Sequence, residues 1–155
     1  MKLNIISVGH KMPDWVESAC AEYIKRMPRE DSIEMIEIKP EKRAAGNSTE
    51  NIQSLEAKRI LDAVGKAYLI ALDERGTSVT TIKLAERMES WLTLGRDIAL
   101  VIGGADGLHD AVKQRADWMW SLSNLTLPHG MVRVLITEQL YRAHSVINNH
   151  PYHRE

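Results

Sequence analysis

The chain has 155 residues, 44% of them hydrophobic, which suits one domain (residues 1–155) large enough to bury a real core. Its 20 Lys and Arg against 21 Asp and Glu leave a formal net charge of −1, without the basic excess of a freely acting nucleic-acid binder. Cys20 is the only cysteine, which excludes an intramolecular disulfide, and no apolar run approaches the roughly 18 residues of a membrane span. The start does not resemble a signal peptide, so a cytoplasmic location with no membrane partner is expected.

The first element is an apolar strand, Leu3 to Val8, ended by Gly9. Asp14 is the expected cap of a helix in which Trp15, Val16, Ala19, Cys20, Tyr23, Ile24 and Met27 recur with helical period, stopped by Pro28. Ile33 to Ile38 reads as a second strand, with Ile36 and Ile38 on one face, and Pro40 to Ser48 as a mobile polar loop. Thr49 to Val64 is a helix presenting Ile52, Leu55, Ile60 and Leu61, closed by Gly65. Tyr68 to Leu72 is a third strand, followed by a loop from Asp73 to Ser78. The helix from Thr80 to Leu94 turns Leu84, Met88, Trp91 and Leu92 inward and stops at Gly95. A fourth strand, Ile98 to Ile102, runs into the turn Gly103-Gly104-Ala105-Asp106-Gly107. A helix near His109 to Asp117, a short strand around Trp120 to Leu122 and a last helix from Met131 to Asn148 complete the order. Strands separated by helices predict a parallel α/β sheet covered on both faces.

In open α/β sheets, ligands sit beyond the carboxyl ends of the strands. Three segments meet that description: those after Leu72, after Ile102 and around Ser123 to Pro128. The Gly-Gly-x-x-Gly spacing is neither the dinucleotide fingerprint nor a Walker motif, and its glycines suit a tight turn or a ligand loop equally. Four of the six histidines lie between His129 and His153, yet no cysteine or carboxylate cluster completes a zinc set, so no metal is expected. Cys20 sits on an apolar helix face and reads as a packing thiol, and the pair Trp118 and Trp120 reads as core or an oligomer contact. Glu138 and Arg142 stand four apart and pair on one helix face, as a solvated ion pair or as part of an anion site. The aromatic and imidazole groups of Tyr152 and His153 predict a tail that docks, unlike an ordinary frayed terminus.

Taken together, several segments resemble one family. They are VIGGADGL from Val101 to Leu108, SLSNLTLPH from Ser121 to His129, Arg133, EQLYRA from Glu138 to Ala143, and YHRE from Tyr152 to Glu155. The opening from Val8 to Trp15, with Glu22 and Tyr23, extends the likeness over nearly the whole chain. It is similar to the bacterial large-subunit (23S) ribosomal RNA pseudouridine N3-methyltransferases, a minimal branch of the SPOUT superfamily; His144 departs from the bulky aromatic expected there.

The resemblance implies a single-domain SPOUT-type α/β fold whose carboxyl-terminal part forms a deep trefoil knot, a topology pattern reading does not propose. It implies S-adenosyl-L-methionine as cofactor, bound in bent form by Leu72, Gly103, Gly104 and the run Leu122, Ser123, Asn124, Leu125, Thr126 and Leu127, with Pro128 beside them. It further implies a homodimer packed through the last helix, with the active site near the interface. The implied substrate is a pseudouridine in large-subunit ribosomal RNA on the assembled ribosome. Ribosomal shape would stand in for a basic groove, and Arg142 and Arg154 would meet phosphates. His153 is expected to act as or orient the base, with Tyr152 and Arg142 positioning the nucleotide, His129 at the pocket edge and Glu138 a further candidate. Two other readings stay open: another α/β nucleotide-binding enzyme, with no affinity for S-adenosylmethionine, and a non-catalytic ribosome-associated factor with a blocked pocket.

Overall fold

A computed structural model describes residues 1–9, 11–42, 46, 48–104 and 107–153. The strands β1 (Leu3–Val8), β2 (Ile33–Ile38), β3 (Tyr68–Thr77), β4 (Ile98–Ile102) and β5 (Trp118–Trp120) form one sheet of order β2-β1-β4-β3-β5. Every pairing is parallel, with Leu3 opposite Ile33 and Ile98, and Leu72 opposite Ile102 and Trp120. The helices are α1 (Asp14–Ile24), α2 (Thr49–Val64), α3 (Thr81–Leu92), α4 (Asp110–Arg115) and α5 (His129–Ile147).

Strand side chains alternate between faces, and both faces here are covered. On one, Leu3, Ile5, Ile70 and Leu100 pack with Leu84, Met88 and Trp91 of α3 and Ile136 and Leu140 of α5. On the other, Ile6, Leu69, Ala99 and Val101 meet Ala57, Ile60 and Val64 of α2 and Val112 of α4. β4 is buried at every residue, as a central parallel strand should be. Trp118 and Trp120 are core, their rings stacked 5.4 Å apart, and Cys20 is buried.

Several sequence expectations need correction. Pro13 occupies the N-cap of α1 and Asp14 follows it, giving no side-chain cap bond; proline pre-sets the backbone there, and the acidic Asp14 and Glu17 instead favour the positive helix end. Leu92 (45% exposed), Leu55 and Trp15 face outward, because α2 and α3 bury only a narrow stripe and Trp15 stands on the first turn of α1. A 3-10 turn over Arg29–Asp31 precedes β2. The loop expected at Pro40 to Ser48 lies partly outside the described residues, as does the interior of the glycine turn. Ser48 Oγ accepts the Asn51 amide at 3.0 Å and starts α2.

The largest difference concerns Asp73 to Ser78. The polar run reads as a loop, but β3 continues to Thr77, and Trp120 pairs with both Leu72 and Thr77. The four residues between form a bulge, which re-aims side chains at a sheet end. Gly76 makes this possible: a Cβ there would stand 2.7 Å from the Met119 carbonyl and the Trp120 nitrogen. Gly76→Ala is expected to destabilise the fold by about 1–3 kcal/mol through overpacking against backbone, measured as a lowered midpoint in urea unfolding.

Candidate active site

The carboxyl ends of β1, β3, β4 and β5 surround a cavity of about 710 Å³, within the usual range for a small-molecule site. Its wall takes Val8 and Gly9 from β1, Leu72 to Glu74 from the bulge, Ile102 to Gly104 after β4, Trp120 to Ser123 after β5, and Leu125 to Leu127 beyond. His129 and Val132 of α5 close one side. The glycine turn is held by the Gly107 amide on the Gly104 carbonyl at 3.1 Å, with Gly107 at a φ of 77° that favours glycine. A Cβ on Gly103 would meet the Gly107 carbonyl carbon at 2.7 Å, so the turn can close only over a glycine. Asp73 is fixed by Lys113 at 3.2 Å and accepts the Arg75 amide at 2.8 Å, leaving Glu74 as an exposed acid at the rim.

Of the residues singled out in the sequence, Leu72, Gly103, Gly104, Leu122, Ser123, Leu125, Thr126 and Leu127 line this cavity. Asn124 does not: it is exposed and outside the lining, because the Leu125 amide turns in to donate to Ser123 Oγ at 2.9 Å and swings residue 124 outward. Pro128 likewise is outside and precedes α5. Arg133, which in the sequence is one more charged position on the last helix, is a buried group. It is 3% exposed, donates from Nη1 to Glu37 Oε1 at 2.8 Å and from Nε to His129 Nε2 at 3.0 Å. Burial, and next the Arg133 charge, push the His129 pKa below the ordinary histidine value.

A second cluster sits toward the other end of α5. Glu138 Oε1 accepts from Arg142 Nε at 2.8 Å and from the Tyr152 hydroxyl at 2.9 Å. The Arg142 guanidinium lies 4.8 Å from the Tyr152 ring centre, and Tyr152 meets Tyr141 edge-on at 4.7 Å. Arg26, in the turn after α1, stands within 5.8 Å of the Tyr23, Tyr141 and Tyr152 ring centres. Burial, followed by the bond to Glu138, raises the Tyr152 pKa strongly, so its phenol stays protonated and serves as a donor. The same carboxylate holds Arg142 still more firmly protonated. The pair Glu138 and Arg142 is therefore a half-buried anchor for the tail and not a solvated surface pair.

His153 Nδ1 lies 3.3 Å from Ser145 Oγ. That hydroxyl already donates to the Arg142 carbonyl at 2.7 Å, so Nδ1 must carry the proton in this contact. A neutral His153 then keeps its lone pair on Nε2, which has no hydrogen-bond partner among the described residues. Arg154 lies outside the described residues.

The two clusters do not meet within one chain. Thirteen residues of α5 separate His129 from Arg142, about 20 Å at 1.5 Å per residue. Arg142, Tyr152 and His153 are thus gathered with each other but apart from the strand-end cavity. Among the described residues no three His, Cys, Asp or Glu side chains are grouped to hold a metal ion, and no helix is long and apolar enough to cross a membrane.

A parallel sheet flanked by helices, with a glycine turn over a strand-end cavity, is the arrangement that comparison with known proteins places. A family model described as predicted SPOUT methyltransferase matches residues 1–153, so the chain belongs to the SPOUT methyltransferases. The ribosomal RNA large subunit methyltransferase H of Methylobacillus flagellatus is 68% identical over 155 residues, covering 100% of both chains. The protein of the same name from Neisseria gonorrhoeae is 54% identical, again over 100% of each. Among solved structures, a probable methyltransferase from Bordetella pertussis aligns with a TM-score of 0.59 at 15% identity, over 91% of this chain and 93% of that one. A putative RNA methyltransferase from Bacillus anthracis gives 0.52 at 12%, over 97% and 96%; these two likenesses concern the fold alone.

Proposed function

We propose that the chain is an S-adenosylmethionine-dependent methyltransferase that methylates N3 of a pseudouridine in large-subunit ribosomal RNA on the assembled ribosome. The observation that carries this reading is the strand-end cavity built over the glycine turn in a chain 68% identical, end to end, to a ribosomal RNA large subunit methyltransferase H. The lining fits S-adenosylmethionine. Leu72, Ile102, Leu122 and Leu127 offer apolar surface to an adenine ring, and the side-chain-free Gly103 and Gly104 offer backbone at close range. Glu74 gives the rim a negative charge that suits a cationic ligand. Bound there, the cofactor supplies a methyl group activated on a sulfonium.

The remaining work belongs to the protein. His153, through Nε2, accepts the imide proton of the target base, while Ser145 holds the ring by Nδ1. Tyr152 and Arg142, fixed on Glu138, orient the nucleotide. Because these groups sit about 20 Å along α5 from the cavity, the working site takes its cavity from one copy and its tail from a second. The chain is therefore read as a homodimer. An apolar face supports this: Trp15 and Met131 are exposed beside the contact of Gly130 with Val16, which joins the starts of α1 and α5. The carboxyl-terminal part is read as a deep trefoil knot, in which the segment from Ser121 to Leu127 passes the glycine turn before α5 crosses back over α1 and α3. The near-zero net charge suits a substrate recognised by the shape of a ribosomal pocket, not by a long basic groove.

Methyl transfer from labelled S-adenosylmethionine to ribosomes from a strain lacking this protein tests the reading, with the product located by mass spectrometry. Label on a large-subunit pseudouridine is expected; cofactor binding without transfer to ribosomes would overturn the substrate, and absence of binding the whole reading. In the same assay His153→Ala should lower turnover by about 10²-fold or more with cofactor affinity unchanged.

A further inference from the structure

Resting on the reading of the cavity as the cofactor site, we propose that His129 is a positioning residue, a neutral imidazole that clamps the glycine turn to the start of α5 through Arg133 and Glu37. Arg133 Nε has only a proton to offer, so His129 Nε2, 3.0 Å away, must be the unprotonated ring nitrogen. The proton then sits on Nδ1, the nitrogen left to serve the hydrogen bond with the Gly103 backbone. One ring thus bonds the turn on one side and α5 on the other. Arg133 passes the constraint on to Glu37 of β2 at 2.8 Å, across 96 positions of sequence. The end of β4 and the first turn of α5, both in the cavity wall, are thereby tied to the end of β2, which lies outside the lining.

This arrangement excludes His129 as the catalytic base, since its one lone pair already accepts from a guanidinium that burial locks in place. It also makes the clamp sensitive to acid. Protonating Nε2 would set a cation against Arg133 and break the bond. The charged and titratable groups facing the ring are Arg133 on α5 and Glu37 on β2; Cys20 of α1 lies in the same Arg133 field, its thiol bonded to Thr137. The ring resists protonation in the folded state, whereas in the unfolded chain it titrates near 6.5. Folded-state stability is therefore full above about pH 6.5 and declines as the pH falls from there through the lowered value.

Glutamine carries one acceptor and one donor and does not titrate, so His129→Gln separates the clamp from its titration. We would measure S-adenosylhomocysteine binding by calorimetry and the melting temperature of the dimer between pH 5.5 and 8, together with ¹⁵N shifts of the His129 ring. The expected results are an Nδ1-protonated neutral ring and an affinity in the wild type that weakens severalfold on acidification. His129→Gln should stay within about threefold of wild-type affinity at pH 8, with a flatter pH profile, and His129→Ala should bind about tenfold more weakly than wild type at pH 8, with a flat profile that narrows the gap as the pH falls. Turnover lost in His129→Gln with intact affinity, or identical pH profiles for wild type and His129→Gln, would overturn the clamp. If the wild type bound no S-adenosylhomocysteine at all, the cofactor reading would fall, while the ring shifts and the melting profile would still decide the clamp.

Discussion

Mixing two inactive variants, Gly103→Ala and His153→Ala, should restore about a quarter of wild-type methyl transfer, the share expected when two subunits pair at random and each mixed pair keeps one intact site. The first change spoils the cavity, because the new methyl group would stand 2.7 Å from the Gly107 carbonyl carbon. The second removes the ring bonded to Ser145. Each homodimer then lacks one half of every site. In a mixed pair, the intact cavity of one copy faces the intact tail of the other. If cavity and tail worked within one chain, no mixture would recover activity. The assay is methyl transfer to ribosomes after the two proteins are unfolded and refolded together, with each variant refolded alone as the control.

Glu138→Ala should cost about 10²-fold in turnover while leaving cofactor affinity within about twofold of wild type, since displacing an aligned group by an ångström is enough for that loss. Glu138 is the common acceptor for the Tyr152 hydroxyl and the Arg142 guanidinium. Its removal frees both at once and leaves the tail held by the ring contacts around Tyr141 and Arg26. The cavity, at the far end of α5, should be untouched. Glu138→Gln keeps an oxygen for one of the two donors and should fall between alanine and wild type. Turnover unchanged in Glu138→Ala would remove the tail from the working site, and a parallel loss of cofactor affinity would place Glu138 at the cavity instead.

How much of this was legible in the sequence follows from how local each signal is. β1, β4 and the helices announce themselves by apolar periodicity, and with the elements in order the parallel sheet and its strand-end site follow. That order singles out the segments after Leu72, after Ile102 and around Ser123, and all three border one cavity. The bulge in β3 was not legible, because Asp73 to Gly76 carries the charge and glycine of a loop, and only the Met119 backbone beside Gly76 shows why the glycine is there. Arg133 was not legible as a buried group either. A charged side chain on a helix reads as solvated, and its partner Glu37 is 96 residues away. The spacing of Glu138 and Arg142 did show a pair, but nothing local reveals that Tyr152 returns to share the same carboxylate. Nor does spacing tell that α5 holds the tail cluster away from the cavity; that is a property of the helix's length.

That length carries a consequence for the life of the protein. In the proposed dimer, α5 acts as a ruler that keeps every chain from completing its own centre. A newly made copy can take up the methyl donor and still be silent until it meets a sibling, so stray methylation by solitary chains is suppressed by geometry alone. Dilution becomes an off switch, and specific activity should rise with enzyme concentration before it levels. Adding or deleting one residue within α5 would turn the tail by about 100° around the helix axis, silencing the pair even with every named side chain still in place.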